Sequence, residues 1–227
     1  MHSKIRKLIA DSRGFLFFLV LMLVVRSSVA DWYGVPTASM YPTLLIGDRI
    51  VADRLAYDVK LPFTDVIVKR IADPKRGDIV TFTSPEDGIR LVKRVVGLPG
   101  DVVELKGEAL IINGVRADYG PAGAEVAMHL MPDYDGRQLV LNEEILGDRW
   151  PIILTPDRQG IRTYGPVVVP DDSYMMLGDN RDNSKDSRYI GFIKRELLTG
   201  QVTRIAFSLD TERFYKPRIE RFGASLD

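Results

Sequence analysis

The sequence predicts a mainly β protein carried behind an N-terminal apolar helix. Three observations predict it. From Trp32 onward, short stretches of strand character are cut by turns at close intervals, and Asn113-Gly114 is a strong two-residue hairpin signal. At the other end, Phe15 to Val25 is an uninterrupted apolar run of 11 residues behind a basic stretch. At 227 residues the chain has room for one large domain, with or without a small appendage.

Residues 1–30 carry Lys4, Arg6, Lys7, Arg13 and Arg26 against Asp11, a net charge of +4, while the whole chain is neutral. Extended through Val29 and Ala30, the apolar run approaches the ~20 residues that span a bilayer. Leu8-Ile9-Ala10 lengthen it inward, Arg13 and Arg26 stand where they can snorkel, and Trp32-Tyr33 follow as interfacial aromatics. The expectation is a cytoplasmic tail and membrane anchor over residues 1–31, with residues 32–227 on the extracytoplasmic side by the positive-inside tendency. A removable leader ending at Ser28-Val29-Ala30 fits the same hydropathy.

Along the body, Gly47-Asp48 opens a strand at Arg49–Ala52, and the turn Pro74-Lys75-Arg76-Gly77 opens Asp78–Phe82. Arg90–Gly97 alternates imperfectly. Leu98-Pro99-Gly100-Asp101 turns the chain into Val102–Leu105, Lys106-Gly107-Glu108 reverses it into Ala109–Ile112, and Asn113-Gly114 reverses it again. Residues 115–165, richer in Pro, Gly, Asp and Glu, are expected to be a less regular inserted subdomain. Strand character returns at Pro166–Val169, Ser173–Leu177 and Gln201–Ser208, and Ile193–Leu198 is expected to be a short helix or turn.

Composition excludes several chemistries. The chain has no cysteine, which removes a thiol nucleophile, a disulfide and a Cys-based zinc site. With only His2 and His129, no multi-histidine metal site forms, and a Ser-His-Asp triad would rest on His129 alone. The body is net acidic, unlike a nucleic-acid-binding surface. No cofactor and no metal are implied.

Three constellations carry chemistry: Pro36-Thr37-Ala38-Ser39-Met40-Tyr41-Pro42-Thr43-Leu44, Leu91-Val92-Lys93-Arg94-Val95-Val96-Gly97-Leu98-Pro99-Gly100-Asp101, and Gly178-Asp179-Asn180-Arg181-Asp182-Asn183-Ser184-Lys185-Asp186-Ser187-Arg188. Singly, each reads as a turn, a solvated strand face or a polar loop. Together, and in this order with GDRI and RGDIV between them, they resemble the type I signal peptidases. The resemblance spreads over residues 37–193 and leaves 115–165 unmatched. It implies an all-β catalytic domain tethered by an N-terminal transmembrane helix, with Ser39 as nucleophile and Lys93 as general base. It also implies removal of signal peptides from exported preproteins after small residues at −1 and −3, at a bacterial cytoplasmic membrane with phospholipid as surroundings. A dedicated pilin or conjugation-protein maturation peptidase and a catalytically idle peptide-binding β module are the alternatives.

The residue chemistry agrees. A serine hydroxyl needs a neighbouring base to attack a carbonyl. Free lysine, with a pKa near 10.4, is neutral in only about one molecule in a few thousand at pH 7. Burial among Leu91, Val92, Val95 and Val96 disfavours the ammonium. Arg94 stays charged and cannot serve. For the oxyanion, the Ser39 backbone N–H and the Thr37 hydroxyl are the expected donors. By resemblance Ser184 orients the lysine through a hydrogen bond, Asp186 and Arg188 form a supporting pair, and Asp179 and Arg181 hold the loop. Val35, Met40, Leu44, Leu91 and Val92 are the expected substrate-pocket walls.

Overall fold

The computed structural model describes residues 12–64 and 66–226, and strands dominate it. Helix α1 (Arg13–Ser28) runs directly into β1 (Ala30–Gly34) and β2 (Asp48–Asp53), then a small pair, β3 (Asp58–Lys60) and β4 (Ile67–Arg70). Next come β5 (Ile79–Thr83), β6 (Arg90–Gly97), β7 (Val102–Lys106), β8 (Ala109–Ile112), β9 (Val115–Arg116) and β10 (Asp118–Pro121). A single helical turn, α2 (Ala124–Ala127), precedes β11 (Leu139–Ile145), β12 (Asp148–Leu154), β13 (Tyr164–Val168) and β14 (Ser173–Leu177). The chain ends with α3 (Ser187–Ile190), β15 (Ile193–Lys194), the long β16 (Leu198–Asp210) and β17 (Lys216–Pro217).

The main sheet has the order β1-β2-β16-β5-β6-β14-β15, with β17 paired to the end of β16. β6 lies between β5 and β14, where Lys93 pairs with Val80 and Arg94 with both Ile79 and Leu177. Its second half, Arg94 to Gly97, is buried on both faces, which explains why this segment does not alternate cleanly in sequence. A second sheet, β13-β7-β8-β9, contains the Asn113-Gly114 hairpin. Both residues have positive φ (53° and 80°), as a two-residue hairpin turn of this type requires.

Residues 115–165 differ from expectation. β10, β11 and β12 form a regular antiparallel sheet, in which β11 and β12 pair over seven residues each. Ile145, Trp150, Ile152 and Leu154 of this sheet share one core with Val96, Val103, Leu105, Leu110, Met175 and Leu177 of the other two. The polar residues that made the segment look irregular are in part functional within it. Glu143 is fully buried and takes hydrogen bonds from Trp150 Nε1 (2.9 Å), Tyr119 OH (2.7 Å) and the guanidinium of Arg181, Nη1 at 2.7 Å. Arg181 Nη2 meets the second carboxylate oxygen.

Residues 193–198 follow expectation in part: a 3-10 turn forms at Arg195–Leu197, preceded by two residues of strand. Arg195 is buried there and holds the base of β3–β4 through Asp58 (2.7 Å), Asp73 (2.8 Å) and the Ala72 carbonyl (2.7 Å). Helix α1 covers 16 residues, and Phe15, Phe17, Phe18, Leu21 and Leu23 are exposed on it. Among the described residues no helix is long and apolar enough to cross a membrane. Leu8-Ile9-Ala10, the expected inward extension, and the basic residues Lys4, Arg6 and Lys7 lie outside the described residues.

Glu143→Ala leaves the Arg181 guanidinium buried without its carboxylate, so the variant is expected to lose about 3–5 kcal/mol of unfolding free energy. Denaturant titration of both chains checks this, and a loss below ~1 kcal/mol would show the hairpin docks by apolar contact alone.

Candidate active site

Pro36 and Pro42 bracket a short 3-10 turn, Ala38–Met40, entered through an extended Thr37 (φ −131°, ψ 156°). Tyr41 N–H closes the turn on Ala38 O at 3.1 Å, and Leu44 N–H bonds Met40 O at 2.9 Å. From the loop after β14, Asn180 clamps the turn twice. Its backbone N–H donates to Ser39 O (3.1 Å) and its side-chain amide to Ala38 O (3.0 Å).

Lys93 reaches this turn from the middle of β6. Its Nζ lies 2.7 Å from Ser39 Oγ and 2.9 Å from Val92 O, and the residue is 2% exposed. Burial pushes its pKa down to about 8, against the opposing pull of the Asp186 and Asp179 carboxylates. Thr37 Oγ1 makes a longer contact to Ser39 Oγ, 3.4 Å. His129, half-buried, is placed against the Pro42 carbonyl and Arg221 instead, and its pKa is lowered chiefly by burial. The partners of Ser39 Oγ are thus a lysine and a threonine.

The third motif folds around this pair. Gly178 passes so close that a Cβ there would stand 2.2 Å from Ser184 Oγ and 2.5 Å from Ser39 O, so only glycine fits. Ser184, expected to bond the lysine, has a buried Oγ beside Gly178 with no hydrogen-bond partner. Asp186 caps α3 and grips Arg188 bidentately (2.8 Å twice), while also accepting Gly178 N–H at 3.0 Å. Asp179 is likewise paired bidentately, with Arg94 (2.8 and 2.7 Å), and accepts the Thr43 hydroxyl at 2.5 Å. Arg181 does not join them but turns to Glu143. The signals for Glu143 and Asn180 were absent or ambiguous in sequence, the first lying in the unmatched segment and the second reading as a loop residue.

A cavity of about 270 Å³ opens on Ser39 and Lys93. All five expected wall residues, Val35, Met40, Leu44, Leu91 and Val92, line it, together with Thr37 and with Tyr33, Ile89 and Arg90, which were not anticipated. Tyr33 and Arg90 are joined by a 2.7 Å hydrogen bond, with the guanidinium 4.9 Å from the ring centroid.

A serine hydroxyl at 2.7 Å from a buried lysine amine, beside an apolar cavity, is an arrangement suited to hydrolase chemistry. Residues 9–207 match the family model described as signal peptidase, peptidase S26. "Signal peptidase I" of Pseudomonas fluorescens is 33% identical over 95% of this chain and 78% of its own length. "Signal peptidase I P" of Bacillus subtilis subsp. natto is 32% identical over 90% of this chain and 91% of its own. A crystal structure of a signal peptidase I from Enterococcus faecalis V583 shares 31% identity, covering 59% of this chain and 99% of its own with a TM-score of 0.36. The chain belongs to the signal peptidase family, peptidase S26, and is a serine endopeptidase.

Because the folded-state pKa of Lys93 lies below that of an unfolded lysine, burying its ammonium costs stability. Its cost is full below pH 8 and fades as pH rises from about 8 to about 10.4. Lys93→Met is therefore expected to be more stable than the parent at pH 7, by on the order of 3 kcal/mol. That advantage shrinks toward pH 10. Denaturant unfolding at several pH values checks this, and a variant less stable at pH 7 would contradict the assigned direction.

Proposed function

We propose that Ser39 and Lys93 form the catalytic dyad of a membrane-bound signal peptidase, which removes signal peptides from exported preproteins. The observation that carries this reading is the 2.7 Å contact between Ser39 Oγ and the buried Lys93 Nζ. It serves in both protonation states: the ammonium donates to Oγ, and the neutral amine accepts the Oγ proton as the hydroxyl attacks. Oγ bonds to the scissile carbonyl carbon, Lys93 takes the proton and returns it to the departing amine, and water then releases the acyl group by the same base. The Ser39 N–H and the Thr37 hydroxyl stabilise the oxyanion. Asp186 with Arg188, Asp179 with Arg94, and Arg181 with Glu143 hold the surrounding loop.

The substrate lies extended in the groove between residues 34–37 and Leu91–Lys93, as an added strand. The groove is apolar and shallow beside Ser39, walled by Met40, Leu44 and Val92, which favours small side chains at −1 and −3. Residues 1–31 anchor the chain, with the exposed Phe15, Phe17 and Phe18 of α1 facing lipid and the catalytic body on the extracytoplasmic side of a bacterial inner membrane. Residues 32–227 form the catalytic domain, into which 115–165 is inserted.

The test is cleavage of a preprotein with an Ala-x-Ala site in detergent and phospholipid. Ser39→Ala and Lys93→Ala are each expected to abolish it with the fold intact, and activity retained in either would remove the dyad. For the parent chain, kcat/KM should rise tenfold per pH unit below about 8 and level off above it, because the neutral lysine is the active form. Thr37→Val should lower kcat by about 10²–10³-fold while Thr37→Ser stays near the parent. Equal activity of all three would place the second oxyanion donor elsewhere.

A further inference from the structure

The match to the family model ends at residue 207, ahead of a segment that lies directly against the nucleophile's loop. After β16 the chain turns back along that strand. Gly223 N–H donates to Ile205 O (2.8 Å), Ile205 N–H to Ala224 O (2.9 Å) and Leu226 N–H to Thr203 O (2.9 Å). Two arginines three residues apart then reach across to the loop that follows Ser39. Arg218 Nη1 donates to Ile46 O at 3.0 Å, and Arg221 Nη2 to Thr43 O at 2.9 Å. Arg221 also grips Asp48 (3.2 and 2.6 Å), a fully buried carboxylate that accepts Leu45 N–H at 2.8 Å. Between these arms Gly47 lies with φ +92° against Leu209 O, where a Cβ would come within 2.0 Å. Below them Ala224 and Leu226 pack on the cluster that contains Val35, Met40 and Leu44.

From this geometry we infer that residues 218–226 are a strap that positions the nucleophile loop, with Arg221 as its principal positioning residue. The loop is fastened at both ends of Thr43. Its hydroxyl is bonded to Asp179, which Arg94 pairs, and its carbonyl to Arg221. Four residues upstream is Ser39. A loop of this kind, carrying an essential oxygen, loses reaction geometry before it loses its fold, because the dyad tolerates displacement of only a fraction of an ångström. Arg221 bonds Thr43 and Asp48 and does not line the cavity at Ser39, so it acts through the position of the loop, with its main effect on the chemical step.

The inference rests on the Ser39/Lys93 reading, and the experiment separates the two. Arg221→Lys keeps a cation beside Asp48 but lacks the planar fork that also reaches Thr43 O. In the full chain with detergent, phospholipid and the Ala-x-Ala preprotein, kcat of this variant is expected to fall about tenfold with KM within about twofold of the parent. Melting temperature should change by no more than a few degrees. Arg218→Lys is expected to show the same split with a smaller loss. Parent kcat in a folded Arg221→Lys chain overturns the strap, as does a fall in kcat that only follows the folded fraction. If that chain does not fold, parent kcat in Arg218→Lys overturns it instead. Cleavage by Lys93→Ala, run in parallel, overturns the dyad rather than the strap.

Discussion

Keeping one lysine dry beside a serine, so that its proton is held far less tightly than in water, is the constraint on which the rest of this structure depends. Desolvation drives the Lys93 proton off, but Asp179 and Asp186 pull it back. Each of those carboxylates is itself held bidentately by an arginine, Asp179 by Arg94 and Asp186 by Arg188. The arginines therefore do more than fix a loop. By neutralising the two acids at close range, they limit the field that would otherwise restore the ammonium. The same acids order Thr43 and Gly178, the neighbours of Ser39 on either side. Electrostatics and geometry are thus set by one set of contacts.

The nucleophile's turn has no regular structure of its own to stiffen it, and stiffness reaches it from elsewhere. Asn180 clamps two of its carbonyls, and Met131 joins Tyr41, Leu45 and Ile153 in a small apolar cluster beneath it. Met131 and Ile153 both come from residues 115–165, and Ile153 also exchanges backbone hydrogen bonds with the Asp179–Arg181 stretch (2.9 and 3.1 Å). The β11–β12 hairpin is consequently a buttress for the site and not an ornament on its surface.

Much of this was legible in residue order. Strands opened by Gly-Asp, Arg-Gly-Asp and Pro-Gly-Asp turns stand where those turns place them, because turn chemistry is local. That Ser39 and Lys93 would meet among Val35, Met40, Leu44, Leu91 and Val92 was legible because a hydroxyl, an amine and an apolar surround of this kind have restricted identities. Glu143 was not: a glutamate in a polar stretch reads as surface until Arg181, Trp150 and Tyr119 are seen to converge on it. The β11–β12 pairing was hidden for the same reason, since half of β11 is only partly buried and carries Asn142 and Glu144 among apolar neighbours. Ser184 shows the converse limit. A motif supplies a hydroxyl, but the rotamer that Gly178 and Ser39 leave room for decides what it bonds.

The site draws on partners far apart in the chain. Ser39 and Lys93 are 54 residues apart, Arg94 and Asp179 85, and Arg221 and Asp48 173. Contacts of such span form late, after the loops between them have closed. Until the last strand, which joins β2 to β5, and the segment behind it have docked, Ser39 has neither Lys93 at bonding distance nor its loop fastened. A half-made or partly opened chain is therefore no protease. The long-range wiring acts as a safety catch, withholding the cutting chemistry from the enzyme's own unfolded segments until there are none left to cut.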